Sequence, residues 1–166
     1  MNPPIRYATD RETLWKRLKD GTIECIATDH APHTLENKAL GFPTAHSGMP
    51  GVETSLPCML THAADGMCSV VDVARWMCEA PARVYGMQNK GRLVEGYDAD
   101  LVLVDMDARR VVQDSDTWTR VGWTPFAGRE LTGWPMYTIV DGQVVHKRVA
   151  GGPLRGTAVA APGSAG

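Results

Sequence analysis

The sequence predicts an α/β chain built in two parts, and three observations carry that prediction. A β-rich run, Ile23 to Thr28, follows a segment of helical periodicity and precedes a long loop and further helical segments. Near residue 90 the apolar period changes from helical to two. Between two late apolar runs stands Asp141-Gly142, a strong short-range hairpin signal. A lone buried strand among helices is part of an α/β unit and cannot close a sheet by itself, because a parallel strand needs neighbours on both sides. Residues 1–90 therefore read as the end of a larger barrel or doubly wound domain, 91–150 as a small β part, and 151–166, rich in Gly, Ala and Pro, as a disordered tail.

Each element has a local reason. Thr9-Asp-Arg-Glu12 has the pattern of a capping box, in which the Thr hydroxyl takes an orphan N–H and the Glu reaches back. Leu14, Trp15 and Leu18 then fall at helical spacing, and Gly21 ends the helix. Ile23 to Thr28 is the candidate buried strand, so Asp29 stands where a strand gives way to a loop. From His30 to Gly51 the chain is broken repeatedly by Gly and Pro, and a loop of that length is usually functional or disordered. Helical periodicity returns with Leu56, Leu60 and Ala63-Ala64 and closes at Gly66. Ser69 reads as the next N-cap, with Val73, Trp76 and Met77 on one helix face. Pro81 to Tyr85 reads as a third helical piece with Pro in its favoured first turn. Leu101–Val104, Arg109–Val112, Met136–Val140 and Gln143–His146 are the expected strands.

Composition narrows the class. The chain is 43% hydrophobic and 22% charged with a formal net charge of −2, which fits a globular protein. There is no basic stripe interleaved with aromatics for nucleic acid, no apolar run long enough for a membrane span, and no basic-then-apolar leader in MNPPIRYATD. Cys25, Cys58, Cys68 and Cys78 form no CxxC and sit among apolar neighbours. They read as buried free thiols, favouring a reducing cytoplasm.

Three short stretches hold candidate site residues, and each has a plain alternative. In TDHAPH, Asp29, His30 and His33 put a carboxylate and two imidazoles at the C-terminal end of a strand, the place where barrel enzymes collect their chemistry. The alternative is a turn-forming Asp beside ordinary loop histidines. Pro32 would stiffen the backbone and fix where His33 points. In SGMPGVET, Gly48 and Gly51 permit close approach to a ligand, and the amides ahead of Glu53 could receive an anion; a simple loop-to-helix turn uses the same residues. Asn2-Pro-Pro-Ile-Arg6 is either part of a site or an extended linker.

Taken together these stretches resemble one family. ATDHAPHTLENK is similar to the signature of the dihydroorotases, in the amidohydrolase superfamily. MNPPIR before it, and SGMPGVETSLPCML, KGRLVEGYDADLVLVD and WTPFAGRELTGWPMYTIVDGQVV after it, follow in the order and spacing of that family. Allantoinases tend to carry Ser and Cys where Ala31 and His33 stand, and hydantoinases replace the second His, so His33 favours dihydroorotase.

The resemblance implies the C-terminal part of a TIM-type (β/α)8 metal-dependent hydrolase barrel plus the C-terminal share of a small β-sandwich. It implies zinc-dependent, reversible cyclisation of N-carbamoyl-L-aspartate to L-dihydroorotate in pyrimidine synthesis. Asp29 would be a metal ligand and the general base and acid. Asn2 and His33 would hold the substrate carboxylate, and Ser47 and Gly48 would meet the ring through their backbone. His30 would orient the loop, Lys38 would anchor it, and Tyr97-Asp98-Ala99-Asp100 would be a structural turn.

A zinc site needs three or four donors. The sequence has five His and no HxH pair, with His46, His62 and His146 outside the expected site. The expectation is therefore an incomplete, inactive portion of a larger enzyme. Related readings are an allantoinase or dihydropyrimidinase, or a non-catalytic dihydroorotase-like partner of a carbamoyltransferase; a homo-oligomer is also compatible.

Overall fold

The computed structural model describes residues 2, 4, 7–149 and 156–158. Helix α1, Ala8–Lys19, begins earlier than expected. Its first turn is closed by Asp10, whose carboxylate accepts the Tyr7 N–H at 3.2 Å, and not by a Thr9–Glu12 box. Asp10 occupies the third helical position, from which a short carboxylate reaches the N-cap amide. Leu18 is buried and Trp15 half-buried, whereas Leu14 faces solvent. Gly21, at φ +82°, turns the chain out of the helix.

Ile23 to Thr28 was expected as a strand, and no strand is formed there among the described residues. The segment runs extended and is tied down by other partners. Ile23 N–H bonds the Arg17 carbonyl at 2.9 Å, and Ile26 N–H bonds the Trp76 carbonyl at 3.1 Å. The second bond follows from the sequence of the helix it touches. Val70–Ala74 (α4), a π-helical turn at Arg75–Glu79, and Ala80–Val84 (α5) form one continuous helical run. The third helical piece expected at Pro81 to Tyr85 is α5, with Pro81 in its first turn as expected, though it continues the run without a break. Within the π turn the Ala80 N–H reaches the Arg75 carbonyl. The next donor in that pattern would be Pro81, which has no N–H. Trp76 is thus left with a carbonyl that its own helix does not satisfy, and Ile26 supplies the missing donor. Ser69 caps α4 reciprocally: its Oγ accepts the Asp72 N–H at 3.1 Å, and Asp72 accepts the Ser69 N–H at 3.0 Å.

The loop after Asp29 contains one helical turn, α2 (Leu35–Lys38), capped by the Thr34 hydroxyl. Helix α3, Ser55–Ala64, carries Pro57 in its first turn, where the missing N–H costs nothing. Leu18, Met59, Leu60, Val73 and Trp76 form one buried cluster, against which Trp15, Ile23 and Ile26 pack.

Four strands make one antiparallel sheet in sequence order: β1 Leu101–Val111, β2 Glu130–Val140, β3 Gln143–Lys147 and β4 Thr157–Ala158. Two expected strands, 101–104 and 109–112, fall in β1, except for Val112, which lies just past its end. A bulge lies between them, where the Asp105 carboxylate accepts the N–H groups of Asp107 and Ala108 at 3.0 and 3.2 Å. Asp141 and Gly142, at φ +50° and +74°, turn the β2–β3 hairpin as predicted. Thr157 and Ala158 fell within the expected disordered tail, yet pair with Lys147 and His146. The rest of the expected tail, 151–155 and 159–166, lies outside the described residues. Lys90 joins Asp98 and Asp100 in ion pairs, and Asp100 accepts the Asp141 N–H at 2.9 Å, so the acids of the Tyr97–Asp100 segment hold a turn against the hairpin. No helix is long and apolar enough to cross a membrane among the described residues.

Helix α3 packs on β2, where Val112, Leu131 and Trp134 form a second cluster with Cys58 and Phe126 at its edge. Two contacts set the separation. The Thr132 N–H donates to the Thr61 hydroxyl at 2.8 Å. A Cβ on Gly133, whose φ is +84°, would lie 2.6 Å from the Leu60 Cβ. Gly133→Ala is therefore strained both in its backbone and against α3, and is expected to destabilise the chain by roughly 2 kcal/mol. A urea titration at fixed protein concentration checks it; an unchanged midpoint would contradict the packing.

β1 is an edge strand, and its first residues expose apolar groups on both faces: Val102 at 46%, and Leu103 at 49% beside its cross-strand neighbour Tyr137. An unpaired apolar edge invites association. The isolated 166-residue chain is expected to show concentration-dependent self-association in sedimentation velocity. A single monomeric boundary across a hundredfold dilution series would refute this.

Candidate active site

Asp29 ends the extended segment with φ +46°, a left-handed conformation that Asp tolerates better than most residues, at a cost of about 1–2 kcal/mol. The kink leaves its carboxylate exposed at the head of the loop. The next residues are fastened at once. His30 forms a parallel bridge with Met49, and the Ala31 N–H donates to the Met49 carbonyl at 3.1 Å. Gly48 is buried against Ala31: a Cβ there would stand 2.6 Å from the Ala31 carbonyl oxygen, and φ is +114°. Only glycine fits, so the predicted close approach at Gly48 is to the chain's own backbone.

The amides ahead of Glu53, expected to be open to an anion, are already engaged. Gly51 and Val52 both donate to His30 Nδ1, at 3.1 and 3.2 Å. The imidazole occupies the position an anion would take. Glu53 turns the other way and accepts the N–H groups of Trp118 and Thr119 at 2.8 and 2.9 Å. Lys38 donates to the carbonyls of His46 and Gly48 at 2.8 and 2.9 Å, closing the 38–48 loop on itself.

His33 is half-buried. Its carbonyl accepts the Trp123 Nε1–H at 2.8 Å, and its ring meets that of His46 edge-on, with centroids 5.0 Å apart. The structure thus brings Asp29, His30 and Gly48 into one short parallel junction, with His33 held beside it. Ser47 is exposed on the same loop. Asn2 is also exposed, and no hydrogen bond joins it to Asp29, His33, Ser47 or Gly48 among the described residues.

Two contributors were missed by sequence reasoning. Trp123 and Glu53 fix the loop through partners about 65–90 residues distant in sequence. Trp123 offered no periodic signal, standing in a Gly/Thr/Pro-rich stretch. Glu53 read only as a helix-start residue.

Among the described residues, no three His, Cys, Asp or Glu side chains come together to hold a metal ion. Asp29 alone does not make a zinc centre, which needs three or four donors. A cavity of about 290 Å3 lies elsewhere, lined by Ile26, Thr28, Met49, Cys58, His62 and Phe126 among others, and neither Asp29 nor His33 lines it. Burial pushes the Cys58 thiol up to about 11, keeping it protonated and unreactive at neutral pH. Burial likewise lowers the His62 imidazole from its ordinary value, with a smaller opposing influence from Asp65. All four cysteines are free, but none is fully buried and Cys78 is exposed, so the expectation of buried thiols holds only in part.

Comparison with known proteins places this geometry. Residues 6–145 match the amidohydrolase family. A dihydroorotase of Halobacterium salinarum is 46% identical over 145 residues, covering 87% of this chain and 34% of that protein. A dihydroorotase of Geotalea daltonii is 42% identical over 89% of this chain and 35% of its own length. An L-hydantoinase (dihydropyrimidinase) from Arthrobacter aurescens superposes with a TM-score of 0.84 at 36% identity, over 95% of this chain and 35% of that one. A D-hydantoinase from Thermus sp. gives 0.85 at 25% identity, over 96% and 35%. The chain spans about a third of the length of the curated relatives it matches. With the family match running from ahead of α1 into β3, and the Asp29 loop inside that span, the chain belongs to the amidohydrolase family.

Proposed function

We propose that this chain is the part of a dihydroorotase that carries the acid–base residue and the substrate loop. The observation that carries this reading is the TDHAPH loop itself. Asp29 stands exposed after an extended segment, and His33 on the same loop is fastened through its carbonyl to Trp123. Relatives named dihydroorotase share 39–46% of their residues with the chain over this region. In this reading Ile23 to Thr28 is a barrel strand awaiting neighbours, residues 1–90 belong to the barrel end, and 91–150 belong to a small β-sandwich.

The chemistry asks for a group that takes a proton from the attacking water and returns one to the leaving amide nitrogen. An exposed carboxylate at a fixed backbone position can do both. Asp29 has that placement, and its left-handed backbone sets the direction from which it works. His33 and Asn2 would bind the carboxylate of N-carbamoyl-L-aspartate or dihydroorotate, and Ser47 and Gly48 would line the ring through their backbone. Zinc is part of the proposal at the level of donors: Asp29 would provide one, and polypeptide corresponding to the other two-thirds of the relatives would provide the rest. The likeness to the L-hydantoinase structure keeps a related cyclic-amide substrate as the rival reading. A homo-oligomer and a cytoplasmic location are compatible with the dihydroorotase reading, whereas a carbamoyltransferase partner belongs to the alternative of a non-catalytic dihydroorotase-like subunit.

Two outcomes are expected. The full-length protein, assayed with dihydroorotate, allantoin and dihydrouracil, should open only dihydroorotate at a useful rate. Turnover confined to the other two would transfer the chain to the rival. Asp29→Asn in that enzyme should lower kcat by roughly a hundredfold or more while circular dichroism stays unchanged. Near-normal turnover would remove Asp29 from its role.

A further inference from the structure

His30 is the side chain of this junction whose contacts say most about its task. Nδ1 accepts two backbone N–H groups, from Gly51 at 3.1 Å and Val52 at 3.2 Å. A ring nitrogen that accepts carries no proton, so the neutral imidazole holds its proton on Nε2. The two donors precede the turn that opens α3, through which the Ser55 N–H bonds the Gly51 carbonyl at 3.1 Å. The acceptor directly follows Asp29, whose backbone is held in a left-handed conformation. The backbone adds a second tie nearby, from Ala31 N–H to the Met49 carbonyl. One imidazole and one backbone bond therefore join the acid's segment to the segment carrying Gly48 and the start of α3.

We propose that His30 is a positioning residue: its Nδ1 lone pair, by holding the Gly51 and Val52 amides, sets the spacing between the Asp29 carboxylate and the 47–48 backbone. The proposal deepens the dihydroorotase reading and rests on it for its kinetic consequence. His30 moves no proton in this role. The junction thus needs an acceptor at one particular atom, which separates this role from any in which Nε2 touches substrate or a metal.

Amide side chains make the distinction testable. Asn carries its terminal polar atoms near the position of Nδ1, whereas Gln extends them toward that of Nε2. In the unmodified 166-residue chain, hydrogen exchange followed by NMR should find Gly51 and Val52 protected. Long-range nitrogen–proton correlations should place the His30 proton on Nε2. His30→Asn should keep the protection, and His30→Gln and His30→Ala should each exchange roughly tenfold faster at those two amides. In the full-length enzyme, His30→Asn should hold kcat for dihydroorotate within about threefold, while His30→Gln and His30→Ala lose between tenfold and a hundredfold. A proton on Nδ1, unprotected Gly51 and Val52 amides in the unmodified chain, or rescue by Gln where Asn fails would each overturn the proposal. If the exchange pattern holds but dihydroorotate is not turned over, the positioning role stands and the dihydroorotase reading falls.

Discussion

The bond from the Ile26 N–H to the Trp76 carbonyl is the constraint on which the placement of the candidate site depends. It exists because Pro81 cannot donate and the π turn gives the Ala80 N–H to Arg75, leaving Trp76 short of an intrahelical partner. Trp76 is also among the most completely buried side chains, at the centre of the cluster that includes Leu18, Met59 and Leu60. The same residue thus anchors the core through its ring and the extended segment through its backbone. Ile26 is three residues from Asp29, so the position of the acid is inherited from a helix defect some 50 residues later in sequence.

Beyond Asp29 the chain leaves the core, and a second set of polar ties replaces apolar burial. His30 holds two amides, Lys38 two carbonyls, and Trp123 the carbonyl of His33. A typical net hydrogen bond is worth about 1 kcal/mol, and bonds to a charged ammonium somewhat more. Several acting together can hold a long loop that no hydrophobic cluster covers. Glu53 extends the arrangement to the 114–128 connection between β1 and β2, whose Trp118 and Thr119 amides it accepts. The loop is therefore fixed from three directions: the extended segment, the start of α3 and the sheet connection.

Much of this was legible in the sequence where local chemistry decides structure. The Asp141-Gly142 hairpin, the Ser69 cap, and the helix stops at Gly21 and Gly66 followed from φ preferences and short side-chain bonds. The order and identity of the loop motifs pointed to the family that residues 6–145 match. The departures share a different cause. Ile23 to Thr28 has strand composition and runs extended, but a strand is a pairing, and composition does not supply partners. Pro81 does stand in the first turn of α5, but no local rule says that a π turn will join α5 to α4 without a break. The Gly51 and Val52 amides looked open to an anion, since no local rule says that an imidazole 21 residues earlier will reach them. Trp123 and Glu53 escaped for the same reason: their partners are distant in sequence.

The division between these two kinds of tie explains how the extended segment and the loop after it are held by different parts of the chain. Apolar burial at Trp76 fixes the depth and direction of the extended segment. Polar ties then aim the residues beyond it, with glycines at Gly48 and Gly133 permitting backbone approaches that a Cβ would forbid. Asp29 keeps its backbone place through the bonds its neighbours make to the 49–52 segment. The cost of its left-handed conformation is met by the same fold that buries Trp76, so the course of the backbone at this acid is set by the chain's own contacts.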